Sequence, residues 1–305
     1  MCDTNNDNDL INQNECDAEL QAMELDGQTE IDGNFSKHIG CGSKFNRRLA
    51  DFVLTTDEDK LLYLKQYNCN PPPLFILTIS LAELVVFIYY GVKAEYKQWI
   101  TISSGLAKSP LIYDPWKREE VWRFVSYMFL HAGIEHIMGN VVLQLMVGIM
   151  LEMVHKSLRV SIVYMSGVLA GSLSSSIFDP FVFLVGASGG VYALLGGYLS
   201  NVIMNWSKLA FNGLHLLLIL AIAIVDIGFS LYRRIAVMDD DTPQVSLAAH
   251  FAGGLAGITI GYVVFSNFNK SLISDTKMWV CLIAYLFACG FAVLWNLFLS
   301  PVGTV

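Results

Sequence analysis

The sequence predicts an all-α polytopic membrane protein with seven helices that cross the bilayer. Of its 305 residues, 54% are apolar and only 15% are charged, a balance that soluble domains of this length seldom have. The apolar residues also fall into runs of about 20, which is the length that a helix needs to cross ~30 Å of hydrocarbon. Charged side chains are concentrated between these runs.

Each of the seven runs is almost free of acidic and basic residues. The acidic exceptions are Glu83, Glu152 and Asp226, and a charged side chain inside a span is a candidate functional residue because its burial in lipid is costly. The predicted helices lie at residues 74–92, 136–154, 160–178, 186–206, 209–232, 245–265 and 278–300.

The short connections between the helices predict the orientation. Most of their basic residues lie on the side that holds the N-terminus, at Lys156, Arg159, Lys208, Lys270 and Lys277. Because basic short loops stay in the cytosol, we expect the N-terminus there and the C-terminus outside. The first apolar run begins only after residue 70, so we expect no cleavable signal peptide.

Polar regions flank the first predicted helix. Residues 1–70 form an acidic tail, in which the first 36 residues hold ten Asp or Glu and no Lys or Arg. We expect this tail to be largely disordered and cytosolic, apart from a short amphipathic helix near residues 56–67. Residues 93–135 mix aromatic and charged side chains, which suits the headgroup layer, so we expect a structured, membrane-embedded loop there.

The segment GASGG at residues 186–190 is the most informative in the chain. The β-branched and aromatic residues 181–185 favour an extended path, so the chain can dip into the bilayer and begin its helix at Ser188, below the surface. A hydroxyl at a helix N-terminus lies beside free N–H groups that can stabilise an oxyanion. Taken alone, however, the segment fits a small-residue packing face better, with Gly189 and Gly197 on one side of a helix.

A second segment carries His250 among small residues. Gly253 and Gly257 continue one face from Ala249, and this ridge predicts close packing against the small residues of the Ser188 helix. His250 would then point near the same seam, where it can serve as base to the serine.

The surroundings of this pair suggest how the imidazole is oriented. Tyr192 follows Ser188 by one turn and is expected to stack on the His250 ring. No Asp or Glu is placed to be the third member of a catalytic triad, and Asp226 is a poor candidate for that role.

A third polar group begins the second predicted helix. His136 and Asn140 are four residues apart and share a helix face, and both can donate hydrogen bonds to an oxyanion. Zinc bound by His131, Glu135 and His136 is the alternative. Because five residues separate the two histidines, one helix face does not hold both, and oxyanion donors are the preferred interpretation.

Together, these motifs resemble the rhomboid family of intramembrane serine proteases. The resemblance covers about residues 74–300. The matching residues are Trp122-Arg123 in the embedded loop, the spaced His131, His136 and Asn140, the GxSG of Gly186 to Gly189, and the AHxxG of Ala249 to Gly253 with Gly257. A six-helix core followed by one additional C-terminal transmembrane helix, with a hydrophilic N-terminal tail, is similar to the secretase-type animal rhomboids, insect members most closely.

The resemblance implies a role for each matching residue. Ser188 is the expected nucleophile and His250 the expected general base. The oxyanion is expected to be stabilised by His136, Asn140 and the N–H of Ser188. The residues expected to orient or support the site are Tyr192, His131, Trp122, Arg123, Gly186, Gly189, Gly253 and Gly257.

The implied activity is cleavage of single-span membrane proteins within or near the outer edge of their transmembrane segment, by a Ser–His dyad that forms an acyl-enzyme. The resemblance extends to growth-factor precursors of the epidermal type, released for receptor signalling. We expect a multi-pass protein of the secretory pathway, in the Golgi or plasma membrane, whose site opens to the lumenal or extracellular side. We expect the lipid bilayer as a partner, and no cofactor, no metal and no nucleic acid.

Two other functions are alternatives. An inactive relative would bind clients without cutting them, but such proteins usually lack the serine or the histidine that this chain keeps. A transporter would use the buried polar residues as a solute path, and it predicts broken helices in two similar halves, which the sequence does not have.

Overall fold

The computed structural model describes residues 72–93, 104–207, 209, 211–236, 246–265 and 275–302. Its elements are helices, and an isolated antiparallel bridge joins Tyr113 to Leu184. The predicted all-α class is confirmed. The acidic tail, including its predicted short helix near residues 56–67, lies outside the described residues.

Long helices account for most of the described chain. In order they are α1 Leu74–Val92, α2 Ile134–His155, α3 Ser157–Phe178, α4 Ser188–Met204, α5 Asn212–Ala236, α6 Leu247–Val264 and α7 Thr276–Phe298. A π-helical turn at Gln144–Gly148 interrupts α2. Each helix lies within a few residues of a predicted span, and α5, which was predicted at 209–232, is displaced most.

Of the seven long helices, α4 is the shortest, and its length is less than the ~30 Å of hydrocarbon that a spanning helix must cross. The other six are long and apolar enough to do so, whereas α4 has 17 residues and a length of ~25 Å at ~1.5 Å per residue. The predicted span at 186–206 is therefore too long at both ends. It begins late because Gly186 has a φ of 108°, which ends the extended path that Leu184 follows beside Tyr113.

Helices α3, α4 and α6 pack against one another through glycine. A Cβ atom placed on Gly253 of α6 would overlap the main chain of Gly189, and one on Gly257 would lie 2.6 Å from the Cα atom of Ala193. Gly167 of α3 approaches the same two α4 residues. Main chains therefore approach one another with at most the Ala193 methyl group between them, as small residues allow in membranes. The predicted packing of two small-residue ridges is confirmed.

Glu152 fastens the start of α1 to the end of α2. Its carboxylate accepts the N–H groups of Phe75 at 2.7 Å and Ile76 at 2.9 Å, and the hydroxyl of Ser157 at 2.5 Å. Pro73, which precedes α1, provides no side-chain cap. The carboxylate therefore supplies the hydrogen bonds and the negative charge that a helix N-terminus favours.

Glu83 of α1 is also enclosed and also paired. Its Oε1 atom accepts the hydroxyl of Tyr164 at 3.0 Å and the amide of Gln144 at 3.3 Å, and that amide also donates to Ser80 at 2.8 Å. Glu83 and Glu152, which were predicted inside spans, are therefore both bound by polar partners from neighbouring helices.

The described part of the loop before α2, residues 104–133, is held by hydrogen bonds within the loop. Arg123 is buried and donates to the carbonyls of Ser109 at 3.0 Å and Ile112 at 2.9 Å, and to the carboxylate of Glu120 at 2.5 Å. The indole of Trp122 donates to the Pro110 carbonyl at 3.2 Å.

The same loop is fastened to the far end of α7. The guanidinium of Arg118 donates to the main-chain and side-chain oxygens of Asn296, at 3.4 and 3.3 Å, and to the carbonyl of Val302. The additional C-terminal helix is thus tied to the loop that precedes the core helices.

Candidate active site

Ser188 is the first residue of α4 and is 8% exposed. The chain reaches it through Gly186, whose positive φ favours glycine and whose N–H donates to the Tyr127 carbonyl at 3.1 Å. The first N–H groups of a helix have no partner within it and carry its positive dipole end. The Ser188 hydroxyl therefore begins beside donors that suit a developing negative charge.

His250 faces α4 from α6, where it is 3% exposed. Its ring stacks on Tyr192, with centroids 4.5 Å apart and planes inclined by 14°, so the predicted stack is confirmed. Neither ring nitrogen has a hydrogen-bond partner among the described residues; the Ser188 hydroxyl is therefore not bonded to the ring here. Hydrogen bonds between a nucleophile and its base are often long until substrate tightens them.

Asp226 of α5 is the third group at the imidazole. Its Oδ2 atom lies 3.8 Å from Nδ1 of His250 and accepts the hydroxyl of Tyr192 at 2.8 Å. We expected no Asp or Glu to be placed as a third triad member; Asp226 makes no hydrogen bond to the ring at this distance, but it lies closer to the imidazole than that expectation implied. The physical reason is that a carboxylate inside a span avoids lipid and turns to polar partners in the bundle, a signal that the sequence did contain.

His136 and Asn140 of α2 line the turn that leads to Ser188. A Cβ atom on Gly186 would lie 2.6 Å from Nε2 of His136 and 3.7 Å from Nδ2 of Asn140. Nδ1 of His136 accepts the N–H of Ala132 at 3.4 Å, so a neutral ring carries its proton on Nε2, the nitrogen that faces Gly186. Nδ2 of Asn140 is buried and has no partner within the described ranges.

His131 binds the main chain of the same turn, next to Ser188. It is fully buried, its Nε2 accepts the N–H of Ala187 at 3.4 Å, and its ring lies edge-on to His136 at 5.2 Å. Burial lowers the pKa of His131 to about 3, so the ring is neutral and can accept that hydrogen bond. No group of three His, Cys, Asp or Glu that could hold a metal occurs in the part of the chain that the structure describes.

The remaining predicted residues contribute indirectly. Gly189 and Gly253 touch at the α4–α6 seam, while Trp122 and Arg123 bond to loop carbonyls. Tyr127 was not predicted, although its carbonyl holds Gly186 and its hydroxyl donates to Val168 of α3 at 2.7 Å. Nothing in the sequence distinguishes it from the other aromatic residues of that loop.

Comparison with known proteins identifies the family. The family description "Rhomboid domain" matches residues 118–267. Rhomboid-related protein 2 of Mus musculus is 58% identical over 241 residues, which cover 78% of this chain and 80% of that protein. Rhomboid-related protein 3 of Homo sapiens is 39% identical over 266 residues, 86% of this chain and 66% of that protein.

A third relative carries a different name. Inactive rhomboid-related protein 2 of Caenorhabditis elegans is 31% identical over 220 residues, 72% of this chain and 62% of that protein. The similarity to insect members stays a prediction. The fold, the family match and the identity to the mouse protein show that this chain belongs to the rhomboid family of multi-pass membrane proteins, in its animal type.

Proposed function

We propose that this chain is an active intramembrane serine endopeptidase that cuts single-span membrane proteins within or near the outer edge of their transmembrane segment. The observation that carries the proposal is the convergence on α4: a serine at its N-terminus, a buried imidazole stacked one turn later, and two donors at the preceding turn. Acyl transfer needs these three parts, a nucleophile, a base and an oxyanion site.

In the proposed mechanism, His250 takes the proton of the Ser188 hydroxyl as its oxygen attacks the scissile carbonyl. Nε2 of His136, Nδ2 of Asn140 and the N–H of Ser188 donate to the oxyanion that forms. The imidazolium then protonates the leaving amine, the peptide bond breaks, and an acyl-enzyme remains on Ser188. Water, deprotonated by His250, hydrolyses that ester and restores the hydroxyl.

The short α4 supports the proposed substrate class. We infer that α4, with a length of ~25 Å, begins below the outer surface, so that the serine lies within the hydrocarbon layer. A substrate must present an unwound peptide there, because a helix uses its own carbonyls in hydrogen bonds. Single-span proteins with small or helix-breaking residues near their outer edge meet this requirement.

The finer assignments rest on the family resemblance. We propose growth-factor precursors of the epidermal type as substrates, released for receptor signalling. The proposed location is the Golgi or plasma membrane, with the N-terminus in the cytosol and the site open to the lumenal or extracellular side. The basic residues of the short loops support that orientation.

Reconstitution tests the activity. The full chain in phosphatidylcholine vesicles, with a single-span reporter, is expected to release a soluble fragment. Ser188→Ala and His250→Ala are expected to lower the rate by at least about 10³-fold. Ser200→Ala makes the same change at another buried serine of α4 and is expected to cleave normally. Cleavage that persists in Ser188→Ala would refute the proposal.

An inactive client-binding protein is the second candidate, because one relative is named inactive. A fluorophosphonate reagent distinguishes the two. Covalent labelling that Ser188→Ala removes supports a protease, and absence of labelling in the folded wild type supports the inactive form. Inhibition by phenanthroline without fluorophosphonate labelling would instead favour the zinc alternative.

A further inference from the structure

Asp226 occupies an unusual position on α5. Its neighbours Ile224 and Val225 are 68% and 72% exposed, as expected for side chains that face lipid, whereas the Asp226 side chain is 29% exposed and points to α4 and α6. A carboxylate inside a span is costly unless it is paired. The groups that it contacts therefore indicate its role.

One oxygen of Asp226 faces both members of the stacked pair. Oδ2 accepts the Tyr192 hydroxyl at 2.8 Å and lies 3.8 Å from Nδ1 of His250. The second distance is too long for a hydrogen bond. The carboxylate thus reaches the imidazole in two ways, by holding the ring that stacks on it and by placing a negative charge beside Nδ1.

We propose that Asp226 is a positioning residue for His250, acting through Tyr192 and through its charge. The inference rests on the proposed protease function. Before reaction the imidazole is neutral, and it becomes positive when it takes the Ser188 proton. The carboxylate then stabilises the charged ring beside it, which is an interaction that strengthens toward the transition state. Such an interaction raises kcat and leaves KM unchanged.

A merely structural Asp226 would behave differently. The hydrogen bond to Tyr192 joins α5 to α4, so its loss on structural grounds alone would lower the melting temperature or change how a substrate helix binds. It would not slow the acylation of Ser188 by a small reagent in the folded protein. The rate of that acylation therefore separates the two roles.

The experiment uses the full chain in phosphatidylcholine vesicles. For each variant, kcat and KM are measured with a single-span reporter, and the rate constant for fluorophosphonate labelling of Ser188 is measured separately. Asp226→Asn keeps an acceptor for Tyr192 and removes the charge, and Asp226→Glu restores the charge. Tyr192→Phe keeps the stack and removes the hydroxyl. Val225→Ala is the matched control, because it alters the adjacent, lipid-facing position of the same helix.

Asp226→Asn is expected to lower kcat and the labelling rate by about 10- to 100-fold with KM unchanged. Full interaction between charges at this separation near a protein surface would give about 10³-fold, but the carboxylate is partly exposed and screened. Asp226→Glu is expected to recover much of the loss. Asp226→Asn and Tyr192→Phe together are expected to cost less than the product of their separate effects, because they act on one ring.

Three results would overturn the role of Asp226. They are wild-type kinetics in Asp226→Asn, slower cleavage with an unchanged labelling rate, and no recovery in Asp226→Glu. Each leaves the protease function intact, since the wild type cleaves and labels. A wild type that does neither refutes the protease function and the role of Asp226 with it.

Discussion

Replacing Gly257 with alanine is expected to force α4 and α6 apart. The added Cβ would lie 2.6 Å from Cα and 2.7 Å from the carbonyl carbon of Ala193, and it would also overlap the carbonyl oxygen of that residue. Carbon atoms in contact normally lie about 3.5–4.0 Å apart, so the helices must separate locally by about 1 Å. The obstacle is main chain, which cannot rotate away as a side chain does.

The expected cost follows from that separation. Overpacking a close contact costs about 1–3 kcal/mol, and the rigid obstacle favours the upper end of that range. Alanine recovers about 1 kcal/mol through its higher helix propensity. The net loss is then about 2 kcal/mol, which corresponds to a fall in Tm of about 4–8 °C for a domain of this size.

Thermal unfolding in a mild detergent, followed by tryptophan fluorescence, measures this effect. Gly290→Ala is the control, because a Cβ at that position of α7 has no atom within 4 Å and its Tm should be unchanged or slightly higher. If Gly257→Ala melts at the temperature of the wild type, the main-chain contact does not limit the approach of the two helices.

Other substitutions separate the roles of residues around α4. Gly186→Ala should lower the cleavage rate at least about 100-fold. The new Cβ would lie 2.6 Å from the His136 ring at a φ of 108°, and a displacement of catalytic groups by ~1 Å can have an effect of that size. A normal rate would contradict the tight turn. Asn140→Ala should lower kcat by about 10²–10³-fold as one oxyanion donor is lost, with Tm unchanged, and a change in KM alone would contradict that role. Glu152→Gln should lower stability by about 1.5–3 kcal/mol, the range for charged hydrogen bonds, while the folded protein still reacts with fluorophosphonate; normal stability would show that α1 does not need this cap.

The small-residue ridges are the part of the fold that could be predicted best. Helices in lipid gain little from burying apolar side chains, because lipid tails are equally apolar, so close contact depends on small residues. Spacing such as that of Gly253 and Gly257 therefore reveals which helices meet. The same spacing predicts that His250 lies beside the Ser188 helix, and the stack with Tyr192 follows from that placement.

Rotation about a helix axis is harder to predict. Side chains that face lipid and side chains that face the bundle are both apolar in a membrane helix, so hydrophobicity alone does not determine the rotation of α5. The direction of Asp226 depends on that rotation and on the hydroxyl of Tyr192, which lies 34 residues earlier in the chain. The roles of Tyr127 and Arg118 depend on contacts of the same long-range kind, which leave no local pattern in the sequence.

The contact between Arg118 and the end of α7 also determines when during synthesis the loop can complete its contacts. Arg118 and Val302 are 184 residues apart, and ribosomes add about 5–20 residues per second. The loop that contains Arg118 therefore emerges roughly 10–40 s before its last partner exists, at those rates. Throughout that interval the core helices can insert and associate. The hydrogen bonds of Arg118 form only after the C-terminal helix has been synthesised.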